Sequence, residues 1–326
     1  MTVRVETGGR LHFGFRNLSL ANPTLYGSVG VALDDPRVVV EAEPACRVRC
    51  DHPDAARYAE RAVELLDVDG VRLDVVEELP RHVGLGSGTQ LALTTLTAVA
   101  RAHHRDPDVR TRAPALGRGR RSGVGVAAFE SGGLIVDEGH PVGPYTDDHL
   151  ARGIETVPPV AAWRAVPDDW RFVLVLPDAN PGRSDDEEDG SMAAVLEQAS
   201  PDNAERIERI VSDRLLPALA AENVASFGAA VGALDQCNGR WYVDEQGDIY
   251  RPPVGAIIGE LADSPSVFGA GQSSWGPAVY GVTTTDHAEN ARVAGRRALG
   301  RAGVDGRVRI VAPRNDGATV SVKVLA

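Results

Sequence analysis

The run His82 to Ala92, "HVGLGSGTQLA", constrains this chain more than any other: Gly84, Gly86 and Gly88 fall at alternate positions immediately before an apolar stretch. Glycine at such spacing lets the backbone fold tightly, so that successive N–H groups and the start of the following helix can point at one anion. The pattern is therefore a candidate phosphate cradle. It lacks the Gly-Lys-Ser/Thr ending of a Walker A loop, and no βαβ unit surrounds it as a dinucleotide fingerprint requires. A tight turn that merely caps a helix fits the same residues.

The helix behind the turn carries Leu91, Leu93, Leu96, Ala98 and Val99, which predicts burial around most of its circumference. Before it, "VRVET", "LHFGF", "SVGVALD" and "RVVVEAE" alternate and are rich in β-branched residues, predicting a hairpin-rich sheet. Residues 54–67 have helical spacing behind an Asp cap. A strong buried-strand signal, "WRFVLVLP", follows a Pro-rich join near 157–168. Helices are expected at about 203–220, 223–236 and 286–300, and strands at "RVRIVAP" and "ATVSVKVL". The fold class is α+β in two domains, 1–165 with the Gly-rich loop and 166–326.

A chain of 326 residues with 43% hydrophobic content has enough apolar material for two cores. Its net charge of −12 argues against nonspecific nucleic-acid binding, which needs a basic face. Lys323 is the only lysine, so any local positive charge must come from arginine. Apolar runs fall well short of the roughly 20 residues of a membrane span. No secretory signal is visible, and the expected location is the cytoplasm. Cys46, Cys50 and Cys237 suit neither a zinc site nor a disulfide framework and are expected to be ordinary buried thiols.

A second Gly-rich run, Phe268 to Gly281, "FGAGQSSWGPAVYG", lies far downstream of the first. The two runs, in this order and at this separation, resemble the phosphate-binding and C-terminal motifs of the GHMP-kinase superfamily. With "RLHFGF" and "RRSGVGVAAFESGGLIVD" they resemble in particular the β-ribofuranosylaminobenzene 5'-phosphate synthase branch. The resemblance implies a two-domain GHMP-kinase-like fold. It implies an enzyme that joins phosphoribosyl pyrophosphate to 4-aminobenzoate or a related aromatic acid, with loss of carbon dioxide and pyrophosphate, in methanopterin synthesis. Mg²⁺ is the implied cofactor.

One position separates synthase from kinase. Where mevalonate-type kinases carry Ser-Gly-x-Asp, this chain has Ser122-Gly123-Val124-Gly125, and glycine cannot accept a proton from an acceptor hydroxyl. A small-molecule kinase of the superfamily stays as an alternative, as does a non-catalytic phosphate-ligand binding protein. Two departures from the synthase pattern, "FRNLSL" and "TLYGSVG", put Asn17 and Tyr26 in place of expected acids and bear on the acceptor.

The candidate site residues follow from these motifs. Arg10 and Arg16 suit a phosphate or carboxylate through a planar fork, His12 a substrate oxygen, and Asn17 the place of the first acid. The phosphate-binding candidates are His82, Gly84, Leu85, Gly86, Ser87, Gly88, Thr89 and Gln90 in the first run, and Gly271, Gln272, Ser273 and Ser274 in the second. The acidic run Asp185 to Asp189 is a candidate Mg²⁺ site or a solvated face. A homodimer is left open.

Overall fold

A computed structural model describes residues 1–142, 155–179 and 185–323, the last range without the side chains of 185–189. Its scaffold is one long antiparallel hairpin, β1 (Thr2–Asn17) and β2 (Thr24–Pro44). Asn17 closes the connection. Its Oδ1 accepts from Ser19 N at 2.8 Å and Asn22 Nδ2 at 3.0 Å, the local bonding that makes Asn a turn residue. Register shifts between Gly8 and Arg10 and between His12 and Gly14 bend β1 where it passes beneath the Gly-rich loop.

The hairpin organises the larger sheet, ordered Thr319–Lys323, β1, β2, β4 (Leu134–Asp137), Val160–Arg164, with β3 (Val71–Glu77) also on β2. The smaller sheet is antiparallel, in the order Gly306–Val311, Trp170–Pro177, Val279–Thr284, Gly269–Gln272. The predicted division into 1–165 and 166–326 differs from the structure at the end of the chain. Thr319–Lys323 returns to the first sheet and pairs with β1 from Thr2↔Lys323 to Glu6↔Thr319. The outer edge of β1 would otherwise present unpaired backbone groups, and the alternating "TVSVK" covers it.

Helix α1 (Pro53–Leu66) and helix α2 (Ser87–Ala102) pack on the larger sheet, and α2 is buried at nearly every position, as its apolar surround predicts. The two sheets share one core. Phe13 of β1 meets Tyr280 at 5.1 Å and Phe172 at 6.5 Å between ring centroids, and all three are buried. Burial of such a side chain contributes roughly 2 kcal/mol. That shared core fixes the position of the second Gly-rich run against the first.

In the segment 45–50, Cys46 and Cys50 are not the buried thiols that the sequence leads one to expect. Cys46 is exposed and Cys50 half-buried, because the segment touches the sheet only through a bridge at Arg49 and Arg72. No helix among the described residues is long and apolar enough to cross a membrane.

Candidate active site

The two Gly-rich runs form one structure. Gly84 and Gly86 have φ of +95° and +78°, where a side chain would be strained. A Cβ on Gly84 would stand 2.0 Å from Ser273 O, and one on Gly276 would stand 1.9 Å from Val83 O. This close approach lets Ala278 N donate to Val83 O at 3.1 Å and Ser273 Oγ donate to Gly84 O at 2.7 Å. Ser273 Oγ also accepts from His12 N at 3.0 Å, which ties in β1. Arg10 adds its backbone N–H to Leu85 O at 3.0 Å and its Nη1 to Gly84 O at 2.5 Å.

The loop carbonyls are thus turned into the protein. The opposite face of the loop carries the start of α2, whose N-cap, Gly86, offers no side-chain hydrogen bond. The N–H groups of the first turn lack intrahelical acceptors by geometry and carry the positive end of the helix dipole. A cleft of about 500 Å³ lies over them.

That cleft gathers positive charge in an acidic protein. Six arginines line it, Arg10, Arg57, Arg81, Arg118, Arg120 and Arg121, against two acids, Asp54 and Glu78. Arg10 and Arg118 flank the helix start. A Cβ on Gly86 would lie 3.3 Å from Arg10 Cγ, and one on Gly88 would lie 3.1 Å from the Arg118 guanidinium. Arg118 donates to Tyr58 Oη and stands 5.6 Å from the Tyr58 ring centroid, so α1 orients it. Such focusing by low-dielectric walls draws anions regardless of net charge.

A smaller cavity of about 50 Å³ adjoins the cleft, and His12, Phe15, Ser274 and Trp275 line both. Its walls are aromatic. Tyr242 and Trp275 meet edge to face at 4.6 Å, and Phe15 packs against His12 at 5.1 Å. Asp235, from the helix Val224–Trp241, supplies a buried carboxyl, which accepts from Gln272 N at 2.8 Å and from Tyr250 Oη. Burial pushes this carboxyl up to about 7, opposed by the bonds from Tyr250 and Gln272 N. Burial, with Arg10 beside it, lowers His12 to about 3, so its imidazole is neutral at physiological pH.

Of the sequence candidates, Arg10, His12, His82, Gly84, Gly86, Ser87, Gly88, Thr89 and Ser274 line the cleft. Others are directed elsewhere. Arg16 pairs with Glu208 at 2.6 Å and donates to Asp137 O at 2.9 Å, because it follows the β1 bend toward the helix Pro201–Ile210. Asn17 is consumed by its turn. Leu85 is in the core. Gln90 is buried and donates to Gly125 O at 2.9 Å, linking α2 to the helix Val124–Ser131. Ser273 is the buried stitch, Gln272 lines the smaller cavity described above while its amide bonds Ser274 O and Gly276 O at 3.1 Å each, and Gly271 admits Asp235 and Tyr280 to close approach. The side chains of Asp185 to Asp189 lie outside the described residues.

Sequence reasoning did not single out Arg118, Arg120 and Arg121, which also line the cleft. The available signal was the cluster "RGRR" directly before Ser122-Gly123. It also overlooked Asp235, a lone acid inside the apolar "VGALDQ" of a helix, and its partner Tyr250.

Residues 54–133, which span α1, the loop, α2 and the arginine cluster, match the GHMP kinases N terminal domain. The fold is that of homoserine kinase from Cytophaga hutchinsonii (TM-score 0.69, 15% identity, covering 98% of this chain and 97% of that one). Mevalonate kinase from Methanococcus jannaschii is also similar (TM-score 0.65, 12% identity, 96% and 98%). The matched domain defines a class, that of chains carrying a GHMP kinases N terminal domain, and the fold is shared with these two kinases. Within that class, the chain is similar along nearly its whole length to a synthase. The β-ribofuranosylphenol 5'-phosphate synthase of Methanothermobacter thermautotrophicus is 29% identical over 96% of this chain and 97% of its own. The protein of that name from Methanocaldococcus jannaschii is 27% identical over 85% and 88%.

Proposed function

We propose that this protein is a β-ribofuranosylphenol 5'-phosphate synthase-like enzyme. It transfers the phosphoribosyl group of phosphoribosyl pyrophosphate to 4-hydroxybenzoate, 4-aminobenzoate or a related aromatic acid, releasing pyrophosphate and carbon dioxide. The observation that carries this reading is at residue 125. Gly125 stands against the first turn of α2, where its Cβ would lie 3.2 Å from Thr89 Cγ2, so the kinase position adjoins the phosphate loop yet bears no carboxylate. An arginine-lined cleft without that base suits departure of an anion better than activation of a hydroxyl. The end-to-end similarity to synthases supports the same choice.

When the C1–O bond of the ribose breaks, negative charge grows on the departing pyrophosphate. The free N–H groups at Ser87 to Thr89 and the cations Arg10 and Arg118 meet that charge in place, without reorganisation. Removing one such donor typically costs roughly 3 kcal/mol of transition-state stabilisation. Neutral His12, between the two cavities, is placed to hydrogen-bond a ribose or acceptor oxygen.

The cleft residues do not fit a protein-held Mg²⁺ cage. Asp54 is paired with Arg57 and Arg81 and Glu78 with His52, and among the described residues no group of three or more His, Cys, Asp or Glu could hold a metal ion. Mg²⁺ therefore belongs to this reading as the counter-ion of the pyrophosphate substrate, a common way for this ion to reach a site.

Calorimetric titration with phosphoribosyl pyrophosphate and with ATP, each with Mg²⁺, tests the reading. Tighter binding of phosphoribosyl pyrophosphate is expected; tighter ATP binding with phosphate transfer to an alcohol would establish the kinase instead.

A further inference from the structure

We infer that the small aromatic cavity beside the phosphate cleft is the acceptor subsite, and that Asp235, with Tyr250, receives the hydroxyl or amino group opposite the acceptor's carboxylate. This rests on the larger cleft being the phosphoribosyl site. The two cavities meet at His12, Phe15, Ser274 and Trp275, so a ring seated in the smaller one has its outer edge at the phosphate cleft. The smaller volume, about 50 Å³, admits the inner part of a benzoate and leaves the far carbon at the mouth. Tyr242 and Trp275, packed at 4.6 Å, give planar walls.

Charge fixes the direction of entry. A carboxylate turned inward would face the Asp235 carboxyl in a buried space, and two like charges there are unfavourable. Turned outward, it faces the arginine-lined cleft. The inner end of the acceptor then needs a hydrogen-bond donor, because Asp235 keeps lone pairs beyond those used by Gln272 N and Tyr250 Oη. A 4-hydroxyl or 4-amino group meets that need; an unsubstituted ring does not.

The seat also serves the reaction. For a 4-hydroxy acid, Asp235 takes the hydroxyl proton as an oxygen lone pair moves into the ring. The carbon bearing the carboxylate bonds to ribose C1, while the C1–O bond breaks and its electron pair leaves on pyrophosphate. The ring–carboxylate bond then breaks, carbon dioxide departs, and that electron pair restores the aromatic ring as its oxygen recovers the proton from Asp235. Asp235 is held up near neutrality by burial, which suits a group that must accept and return a proton.

The test compares acceptors on the wild-type enzyme and then on Asp235→Asn and Tyr250→Phe. With phosphoribosyl pyrophosphate saturating, 4-hydroxybenzoate should bind at least tenfold more tightly than benzoate. Asp235→Asn should lower kcat at least tenfold and abolish that preference, Tyr250→Phe should raise the acceptor KM severalfold, and Kd for phosphoribosyl pyrophosphate should stay within twofold in both. Equal binding of the two acids by the wild type, which requires no variant to fold, would overturn the assignment. So would variants with unchanged acceptor kinetics. A wild type that turns over no phosphoribosyl pyrophosphate with any aromatic acid would instead remove the functional reading on which the subsite depends.

Discussion

Ser273 and Gly84, 189 positions apart in sequence, are joined by a 2.7 Å hydrogen bond from the serine hydroxyl to the glycine carbonyl. The same Oγ accepts from His12 N, so one buried side chain ties β1, the phosphate loop and the second Gly-rich run together. Ser273→Ala removes a partner from both groups inside the protein. A stability loss of about 1–3 kcal/mol is expected in urea unfolding, with weaker binding of phosphoribosyl pyrophosphate. Wild-type stability and affinity would show that the stitch is dispensable.

At Gly86 the φ of +78° strains any side chain, and an added Cβ would stand 3.3 Å from Arg10 Cγ, so a β-branched residue would press on that arginine as well. Gly86→Val should abolish substrate binding while the rest of the fold persists, at a cost of about 1–3 kcal/mol in backbone strain. Circular dichroism and calorimetry separate the two effects. Normal kinetics in a folded variant would remove the loop from the site.

Arg118 flanks the helix start, although no motif in the sequence singles it out. Arg118→Ala should lower kcat/KM for phosphoribosyl pyrophosphate by about tenfold or more, the scale of one charge-assisted contact, with little change in melting temperature. Unchanged kcat/KM would mean that Arg118 serves only to pack Tyr58.

Stability should carry the mark of Asp235. Its folded-state carboxyl sits near 7, above the unfolded value of about 4, so between those limits the folded protein binds the extra proton and loses stability as pH rises. Asp235→Asn lacks this loss. The stability of the variant relative to wild type should therefore increase from pH 4 to pH 7, by on the order of 1 kcal/mol per pH unit at most. Urea midpoints at several pH values check it; a constant difference would place the carboxyl in the ordinary range. Asp137, raised to about 6 by burial, is present in both proteins and cancels.

Gly125→Asp should impair pyrophosphate release. The new carboxylate would arise beside Thr89 at the first turn of α2 and repel an anionic substrate. It should not create a kinase, since the acids that line the cleft, Asp54 and Glu78, are held in ion pairs and the arginines around them serve anions. Unaltered pyrophosphate release would place this segment away from the reacting groups.

Much of this architecture was legible locally. The loop at Gly84 to Gly88, the buried α2 and the hairpin strands each follow from spacing that backbone geometry enforces. The pairing of the two Gly-rich runs was legible only through the resemblance, because Ser273 and Gly84 meet through long-range packing. Arg16 illustrates the opposite failure. It lies six positions after Arg10 with equal claim to an anion, but the β1 bend sends it to Glu208. Asp235 was silent for a related reason: its neighbours Tyr250 and Gln272 come from other elements, and burial, which gives the carboxyl its chemistry, is not local.

The most direct measurement follows both released products in one reaction. The protein is incubated with Mg²⁺, phosphoribosyl pyrophosphate and carboxyl-labelled 4-hydroxybenzoate or 4-aminobenzoate, and pyrophosphate and labelled carbon dioxide are counted. Equal release of the two, dependent on both substrates, is the predicted result. Absence of both products, together with ADP formation from ATP and an alcohol, would contradict the synthase assignment.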